Sequence, residues 1–246
     1  MRTFVAELIG TAFIILFGAG SGAMTVLFAP AGLVSGGVVM GGYTNVVLGW
    51  GLGVAFAVIV SVRISGAHLN PAVTLALAFT KRFEWNKVLG YIVAQVIGGF
   101  IGAAVVFAVF YAKWIQFDPQ LAHTTGIFAT FPAVPKFFPG FFDQIVGTFI
   151  LVYLILAIGN FIKNPAENIA FPILIGVIVL GIGISFGGMN GYAINPARDF
   201  GPRLFALFMG FKNNGFETWY IWLVPIIGPI IGGILGAKVF DFTIKE

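Results

Sequence analysis

Two segments of this chain, SGAHLNPAVT at residues 65–74 and GYAINPARDFGPR at residues 191–203, contain the same tripeptide, Asn-Pro-Ala. Asn is a preferred N-cap residue, and Pro is favoured at the first helical position because its missing N–H would have no partner there. Pro also disfavours helical geometry in the residue before it. Each tripeptide therefore predicts an abrupt helix start after a stretch of irregular backbone. The six residues concerned are Asn70, Pro71, Ala72, Asn195, Pro196 and Ala197.

The apolar stretches behind the two tripeptides are short. Residues 70–80 and 195–208 would each rise only about 15–20 Å as helix, which is half the thickness of a membrane. Irregular backbone at membrane depth is tolerated only where it is buried or lines a water-filled cavity. The two stretches therefore predict re-entrant half-helices that stop near the midplane.

The remainder of the chain has the composition of a membrane protein. Of its 246 residues, 59% are hydrophobic and 9% are charged, with a mean hydropathy of +1.02. Soluble domains carry about 25% charged residues. The thirteen Lys and Arg residues stand between apolar stretches, which favours a role in membrane topology over nucleic-acid binding. The apolar stretches predict an all-α membrane protein with six full spans, at residues 4–28, 42–63, 86–112, 140–161, 168–186 and 218–240.

The chain also repeats itself in order. AELIGT at residues 6–11 matches DQIVGT at 143–148, VIGGFIGA at 96–103 matches IIGGILGA at 230–237, and the Asn-Pro-Ala tripeptides match each other. Each half then holds three spans and one short segment, and since three is odd the second half is inverted relative to the first. We expect one domain, residues 1–246, with inverted halves at approximately 1–112 and 140–246.

Charge placement predicts the orientation of the spans. Under this topology seven Lys and Arg residues fall on one side and four on the other, which favours a cytoplasmic position for both termini and an extracellular loop between the halves. The seven are Arg2, Lys81, Arg82, Lys87, Lys163, Lys238 and Lys245, and the four are Lys113, Lys136, Arg203 and Lys212.

Half-helices that enter from opposite faces would meet with their N-termini together. Their positive dipole ends would then point at one place, which repels a cation or an excess proton. The amides of Asn70 and Asn195 can still donate to a neutral oxygen. This arrangement is typical of a pore that passes water or polyols and excludes protons.

With these two motifs, one in each inverted half, the sequence resembles the major intrinsic protein family of aquaporins and glycerol facilitators over nearly its whole length. The resemblance implies a selectivity constriction formed by Trp50, Gly183, Tyr192 and Arg198. Gly183 stands where water-selective members usually have a His, so we expect open space there. Trp50 and Tyr192 would then form an apolar corner opposite the donors of Arg198, although Tyr192 departs from the commoner Phe. Asp199 is the choice of the glycerol branch.

The resemblance also implies how the two re-entrant loops are used. It assigns solute-facing backbone carbonyls to one set of three residues in each half, namely Gly66, Ala67 and His68, and Gly191, Tyr192 and Ala193. Glu7 is expected to hold the first loop by its backbone amides. Its counterpart in the second half is Gln144, a departure from the usual Glu that brings no charge.

These features predict a passive facilitator for glycerol, water and similar small uncharged solutes, with urea, dihydroxyacetone and undissociated small acids also open. The resemblance implies a homotetramer with one pore in each subunit, and we expect an integral membrane protein of the plasma membrane. No cofactor, metal or enzymatic activity is expected, because the sequence has no His, Asp or Glu cluster at ligand or acid–base spacing. A water-selective pore is the main alternative. An ion-coupled secondary transporter shares inverted repeats and broken helices, but the spans here lack paired acids for a coupling ion.

Overall fold

The computed structural model describes residues 1–28 and 42–244, and within these ranges the chain is all-helical. The residues in these two ranges form eight α-helices, six of them long and two short. The long helices are α1 (Arg2–Leu27), α2 (Gly42–Ser65), α4 (Trp85–Phe117), α5 (Phe137–Phe161), α6 (Ala170–Phe186) and α8 (Trp219–Thr243), and the short ones are α3 (Pro71–Phe79) and α7 (Pro196–Phe208).

The long helices agree with the six predicted spans. Five of them are long and apolar enough to cross a bilayer, and α6 is an apolar helix of 17 residues. Seventeen residues is the lower end of the range that spans the hydrocarbon core. Lys245, which the predicted orientation used, lies outside the described residues.

The short helices begin where the tripeptides predicted. Helix α3 has 9 residues and helix α7 has 13, each with Asn as its N-cap and Pro as its first residue. At 1.5 Å per residue both are far shorter than the hydrocarbon core is thick.

The packing pattern of the first half recurs in the second. Helix α1 packs against α2 and α4, and α5 packs in the same way against α6 and α8. Each short helix, however, packs on the last long helix of the other half, α3 on α8 and α7 on α4. The halves are therefore interlocked. The predicted fold, six spans and two half-helices in an inverted arrangement, is confirmed, while the boundaries proposed for the two halves stay a prediction.

Paired glycines allow these close contacts. A Cβ placed on Gly98 of α4 would lie 2.2 Å from the carbonyl oxygen of Leu8, and one on Gly232 of α8 would lie 2.2 Å from that of Ile145. Such distances exclude any side chain, so the backbones of α4 and α1, and of α8 and α5, touch directly.

The structure changes one residue in the charge count. The predicted orientation counts Arg203 among the loop charges, but its side chain is fully buried and pairs with Asp199 at 2.9 Å. A buried, paired Arg cannot act as a topological signal at a membrane surface. Without Arg203 the count is seven against three, so the bias keeps its direction and becomes larger.

Candidate functional site

The two Asn side chains join the N-termini of α3 and α7. The Oδ1 atom of Asn70 accepts from the N–H of Ala72 at 2.8 Å, and that of Asn195 accepts from Ala197 at 3.0 Å, so each caps its own helix. The Nδ2 atoms point the other way. Asn70 donates to the carbonyl of Ile194 and Asn195 donates to the carbonyl of Leu69, both at 2.8 Å. Each amide nitrogen carries a second hydrogen, which remains for another acceptor.

The loops that lead to the two Asn residues have the same unusual backbone. The residues four, three and one before each Asn have positive φ, a conformation that costs non-glycine residues free energy and is held only by its surroundings. In the first loop these are Gly66, Ala67 and Leu69, and in the second Gly191, Tyr192 and Ile194.

Glu7 supports the first loop from α1. Its fully buried carboxylate accepts from the N–H groups of His68 at 3.0 Å and Leu69 at 2.6 Å. It also accepts from the Ser65 hydroxyl at 2.6 Å and from Nε2 of Gln95 at 2.7 Å. Charge-assisted bonds of this kind are about twice as strong as neutral ones. The predicted contact of Glu7 with the loop amides is therefore present.

Gln144 supports the second loop in a different way. Its Oε1 atom accepts from the N–H of Ile194 at 2.8 Å, and its Nε2 atom donates to the carbonyl of Asn190 at 3.3 Å and to Asp143 at 3.0 Å. A Glu at this position would set a carboxylate oxygen against the Asn190 carbonyl. The second loop presents one N–H and one C=O to Gln144, whereas the first loop presents two N–H groups to Glu7. An amide side chain therefore suits the second loop, and a carboxylate suits the first.

Two cavities meet at a constriction beside the second loop. The inner cavity is lined by Asn70 and Asn195, by both loops and by aliphatic side chains of the long helices. The outer cavity is lined by residues such as Tyr43 and Thr130. Three residues line both cavities and so stand between them, namely Trp50, Tyr192 and Arg198.

Arg198 is fixed between a ring and a carbonyl. Its guanidinium carbon lies 3.8 Å from the centre of the Trp50 ring, a cation–π contact. Its Nη1 atom donates to the carbonyl of Phe128 at 3.2 Å. An Arg side chain has five N–H donors, so donors remain for a molecule in the constriction.

Gly183 does not leave the open space that we expected. It lines neither cavity, and a Cβ placed on it would lie 2.5 Å from Val47 and 2.9 Å from the Tyr192 ring. Its carbonyl accepts from the hydroxyl of Tyr43 at 2.8 Å. The expectation of empty space is therefore wrong, because the side chain of Val47 and the aromatic ring of Tyr192 occupy that space. The Tyr192 hydroxyl is buried and has no hydrogen-bond partner among the described residues.

Gly183→Ala is expected to lower water and glycerol permeability together by displacing the Tyr192 ring toward the pathway. Overpacking of this kind costs about 1–3 kcal/mol. The matched control is Gly181→Ala on the same helix, where a Cβ would meet nothing within 4 Å. Stopped-flow permeabilities of vesicles with equal protein content test this. Equal behaviour of the two variants would mean that Tyr192 does not depend on Gly183 for its position.

The residues predicted to present carbonyls all lie along the two cavities. Gly66, Ala67, His68, Tyr192 and Ala193 line the inner one, and Gly191 lines the outer one. That their carbonyls face a solute stays a prediction. Within the described residues, 1–28 and 42–244, no group of three or more His, Asp or Glu side chains is placed to hold a metal ion.

Sequence reasoning missed the loop between α4 and α5. Phe128 supplies the carbonyl that holds Arg198, and Thr130 bonds to Asp199 through its N–H at 2.7 Å and its hydroxyl at 2.8 Å. Neither residue belongs to a motif. Asp118 anchors an earlier part of this loop. Burial of its carboxylate acts to raise the pKa of Asp118. The N–H groups of His123 and Ala122 and the Thr124 hydroxyl outweigh burial, so the pKa lies below its ordinary value.

Two capped half-helices that meet end to end inside a bundle of spanning helices, with cavities on both sides of a constriction, define a membrane pore. Comparison with known proteins places this pore in a family. Residues 1–240 match the model of the major intrinsic protein family, and the chain belongs to that family.

Individual relatives match over nearly the full chain. The glycerol uptake facilitator protein of Bacillus subtilis is 43% identical over all of this chain and 86% of its own length. The probable glycerol uptake facilitator protein of Thermotoga maritima is 44% identical over 98% of this chain and 99% of its own. Among solved structures, the aquaglyceroporin from Plasmodium falciparum is 28% identical with a TM-score of 0.84, covering 99% of this chain and 96% of that one.

Proposed function

We propose that this integral membrane protein is a passive channel for glycerol and similar small uncharged solutes, with water as a further permeant. The observation that carries the proposal is the constriction, where the Arg198 guanidinium lies directly against the Trp50 ring, 3.8 Å from its centre, beside Tyr192. A polyol has a carbon edge and a hydroxyl edge. The aromatic corner accommodates the first, and the free donors of Arg198 bind the second. Relatives named glycerol uptake facilitators support this assignment.

Exclusion of cations and protons follows from the same site. The N-termini of α3 and α7 adjoin each other, so their positive dipole ends act on one point of the pathway. The Arg198 charge lies close by at the constriction. A cation would therefore meet two successive positive barriers, whereas a neutral hydroxyl meets donors.

The acidic residues of the bundle support passive transport over ion coupling. Glu7 is engaged with four donors, Asp143 accepts from Gln144, and Asp199 pairs with Arg203. None of the three lines either cavity. A coupling ion or proton would need an acid that it can reach from the pathway.

Orientation, assembly and substrate range extend the proposal. We infer a plasma-membrane homotetramer with one pore in each subunit and both termini in the cytoplasm, supported by the family and by the charge bias. Urea, dihydroxyacetone and undissociated small acids have the size and neutrality of further permeants. The halves would be joined by an extracellular loop that carries Phe128 and Thr130.

Stopped-flow light scattering on proteoliposomes tests the proposed function. Outward gradients of water, then inward gradients of glycerol, urea and dihydroxyacetone, are applied to vesicles with and without protein. Glycerol flux is expected to exceed that of empty vesicles and to rise linearly with the gradient. Water flux without glycerol flux would establish the water-selective alternative. Saturable flux that depends on an ion gradient would establish a coupled transporter.

A further inference from the structure

Asp199 follows Arg198 in the chain, yet its side chain is directed away from the pathway. The carboxylate is 1% exposed and lines neither cavity. Asp199 therefore does not contact the permeant, and the groups that it binds connect it to the constriction.

The Asp199 carboxylate binds two elements at once. Its Oδ1 atom accepts from Nε of Arg203, one turn further along α7, at 2.9 Å. Its Oδ2 atom accepts from both the N–H and the hydroxyl of Thr130, in the loop between α4 and α5. All of these groups are buried, so water competes little for the bonds.

Arg203 completes the hold on the same residue. Its Nη2 atom donates to the carbonyl of Thr130 at 2.7 Å, and its Nη1 atom donates to the carbonyl of Asn214 at 2.8 Å. The guanidinium also lies 5.0 Å from the centre of the Phe131 ring. The ion pair thus binds the N–H, the hydroxyl and the C=O of one loop residue.

Two residues before Thr130, the carbonyl of Phe128 accepts from Arg198. The Phe128 ring is fully buried and stacks on Trp114 at 5.0 Å. The carbonyl that holds the Arg198 guanidinium is therefore fixed on one side by an aromatic stack and on the other by the ion pair.

We propose that Asp199, Arg203 and Thr130 form a clamp that positions the Arg198 guanidinium over Trp50, so that Asp199 governs solute preference without touching the solute. Asp199 is then a positioning residue. This inference rests on the proposed function for the identity of the preferred solute. The competing explanation is that the ion pair only stabilises the fold.

The test compares variants by the ratio of glycerol to water permeability, because a change in the number of folded channels alters both fluxes equally. Thr130→Val keeps the shape of the side chain and removes its hydroxyl, whereas Thr130→Ser keeps the hydroxyl. The double variant Asp199→Asn/Arg203→Gln removes the ion pair without leaving one buried charge unpaired. Arg82→Gln/Asp241→Asn removes the ion pair between the turn after α3 and the end of α8, and serves as the control.

The clamp double variant is expected to lower the ratio about fivefold, the effect of roughly 1 kcal/mol. Thr130→Val should lower it by a smaller factor, and Thr130→Ser and the control pair should leave it unchanged. In an Arg198→Ala background the clamp variant should change the ratio less than about twofold, because the group that it positions is gone.

Four outcomes decide the inference. An unchanged ratio in the folded clamp variant would overturn it, as would full additivity with Arg198→Ala. If wild-type vesicles pass water but no glycerol, the proposed function fails. The wild type, the clamp variant, Arg198→Ala and their combination are then compared by their urea-to-water ratios and their water permeabilities. Non-additivity there would still support the clamp. If the clamp variant does not fold, the comparison of Thr130→Val with Thr130→Ser decides.

Discussion

Vesicles carrying Arg198→Ala are expected to show a glycerol-to-water permeability ratio about tenfold below that of the wild type. A hydrogen bond to a charged group contributes about 1.5–3 kcal/mol. Glycerol gives up more hydrogen bonds to water on entering the constriction than a water molecule does. Loss of the Arg198 donors therefore lowers glycerol permeability more than water permeability. The Arg198 guanidinium contacts the Trp50 ring at 3.8 Å and donates to the Phe128 carbonyl at 3.2 Å. Its remaining donors are the groups that glycerol would lose. The ratio is measured by stopped-flow scattering on one vesicle preparation.

Arg198→Lys separates charge from donor geometry. Lysine keeps the positive charge but presents a flexible point donor in place of the planar fork. We expect Arg198→Lys to exclude protons as the wild type does and yet to show a lowered glycerol-to-water ratio. Arg198→Ala should in addition admit protons, measured with a pH-sensitive dye inside the vesicles. A wild-type ratio in either variant would show that Arg198 does not bind the solute.

Glu7→Ala is expected to lower the free energy of unfolding by about 2–6 kcal/mol, since two buried backbone N–H groups would each lose their acceptor at about 1–3 kcal/mol. Those groups belong to His68 and Leu69, the second of which has positive φ. The first loop would relax, and water and glycerol permeability would fall together. Thermal unfolding in detergent measures the stability, and vesicle flux measures the pore.

Glu7→Gln is the matched comparison. It keeps one acceptor oxygen, as Gln144 does in the other half, and its new amide donor can meet the Oε1 atom of Gln95, which has no partner among the described residues. The loss of stability should therefore be clearly smaller than for Glu7→Ala. Equal losses in the two variants would mean that the charge of Glu7, and not its loop bonds, stabilises the fold.

The half-helices could be predicted from sequence because their signals are local. Asn followed by Pro marks a helix start wherever it stands, and an apolar stretch of 9 or 13 helical residues is too short to cross a bilayer. The same holds for Glu7, an acid inside a span that needs partners. Residues of this kind carry their physical constraint with them.

The details of the constriction could not be predicted in this way. Whether Gly183 faces open space depends on the direction of the Tyr192 ring, which is set by a positive φ of 36° in the second loop. Phe128 contributes through its backbone carbonyl, a group that every residue possesses. Asp199 could be recognised only as a mark of the glycerol branch, because its bonds to Thr130 join residues 69 positions apart.

The crossed bonds between Asn70 and Ile194 and between Asn195 and Leu69 constrain the order in which the chain folds during its synthesis. Asn70 and Ile194 are separated by 124 positions, and at about 5–20 residues per second the first waits roughly 6–25 s for the second. Helix α3 waits longer still, because it packs on α8. The first re-entrant loop must therefore remain sheltered from lipid during that interval. The pathway for solute is completed in one late step, when the second half joins the first.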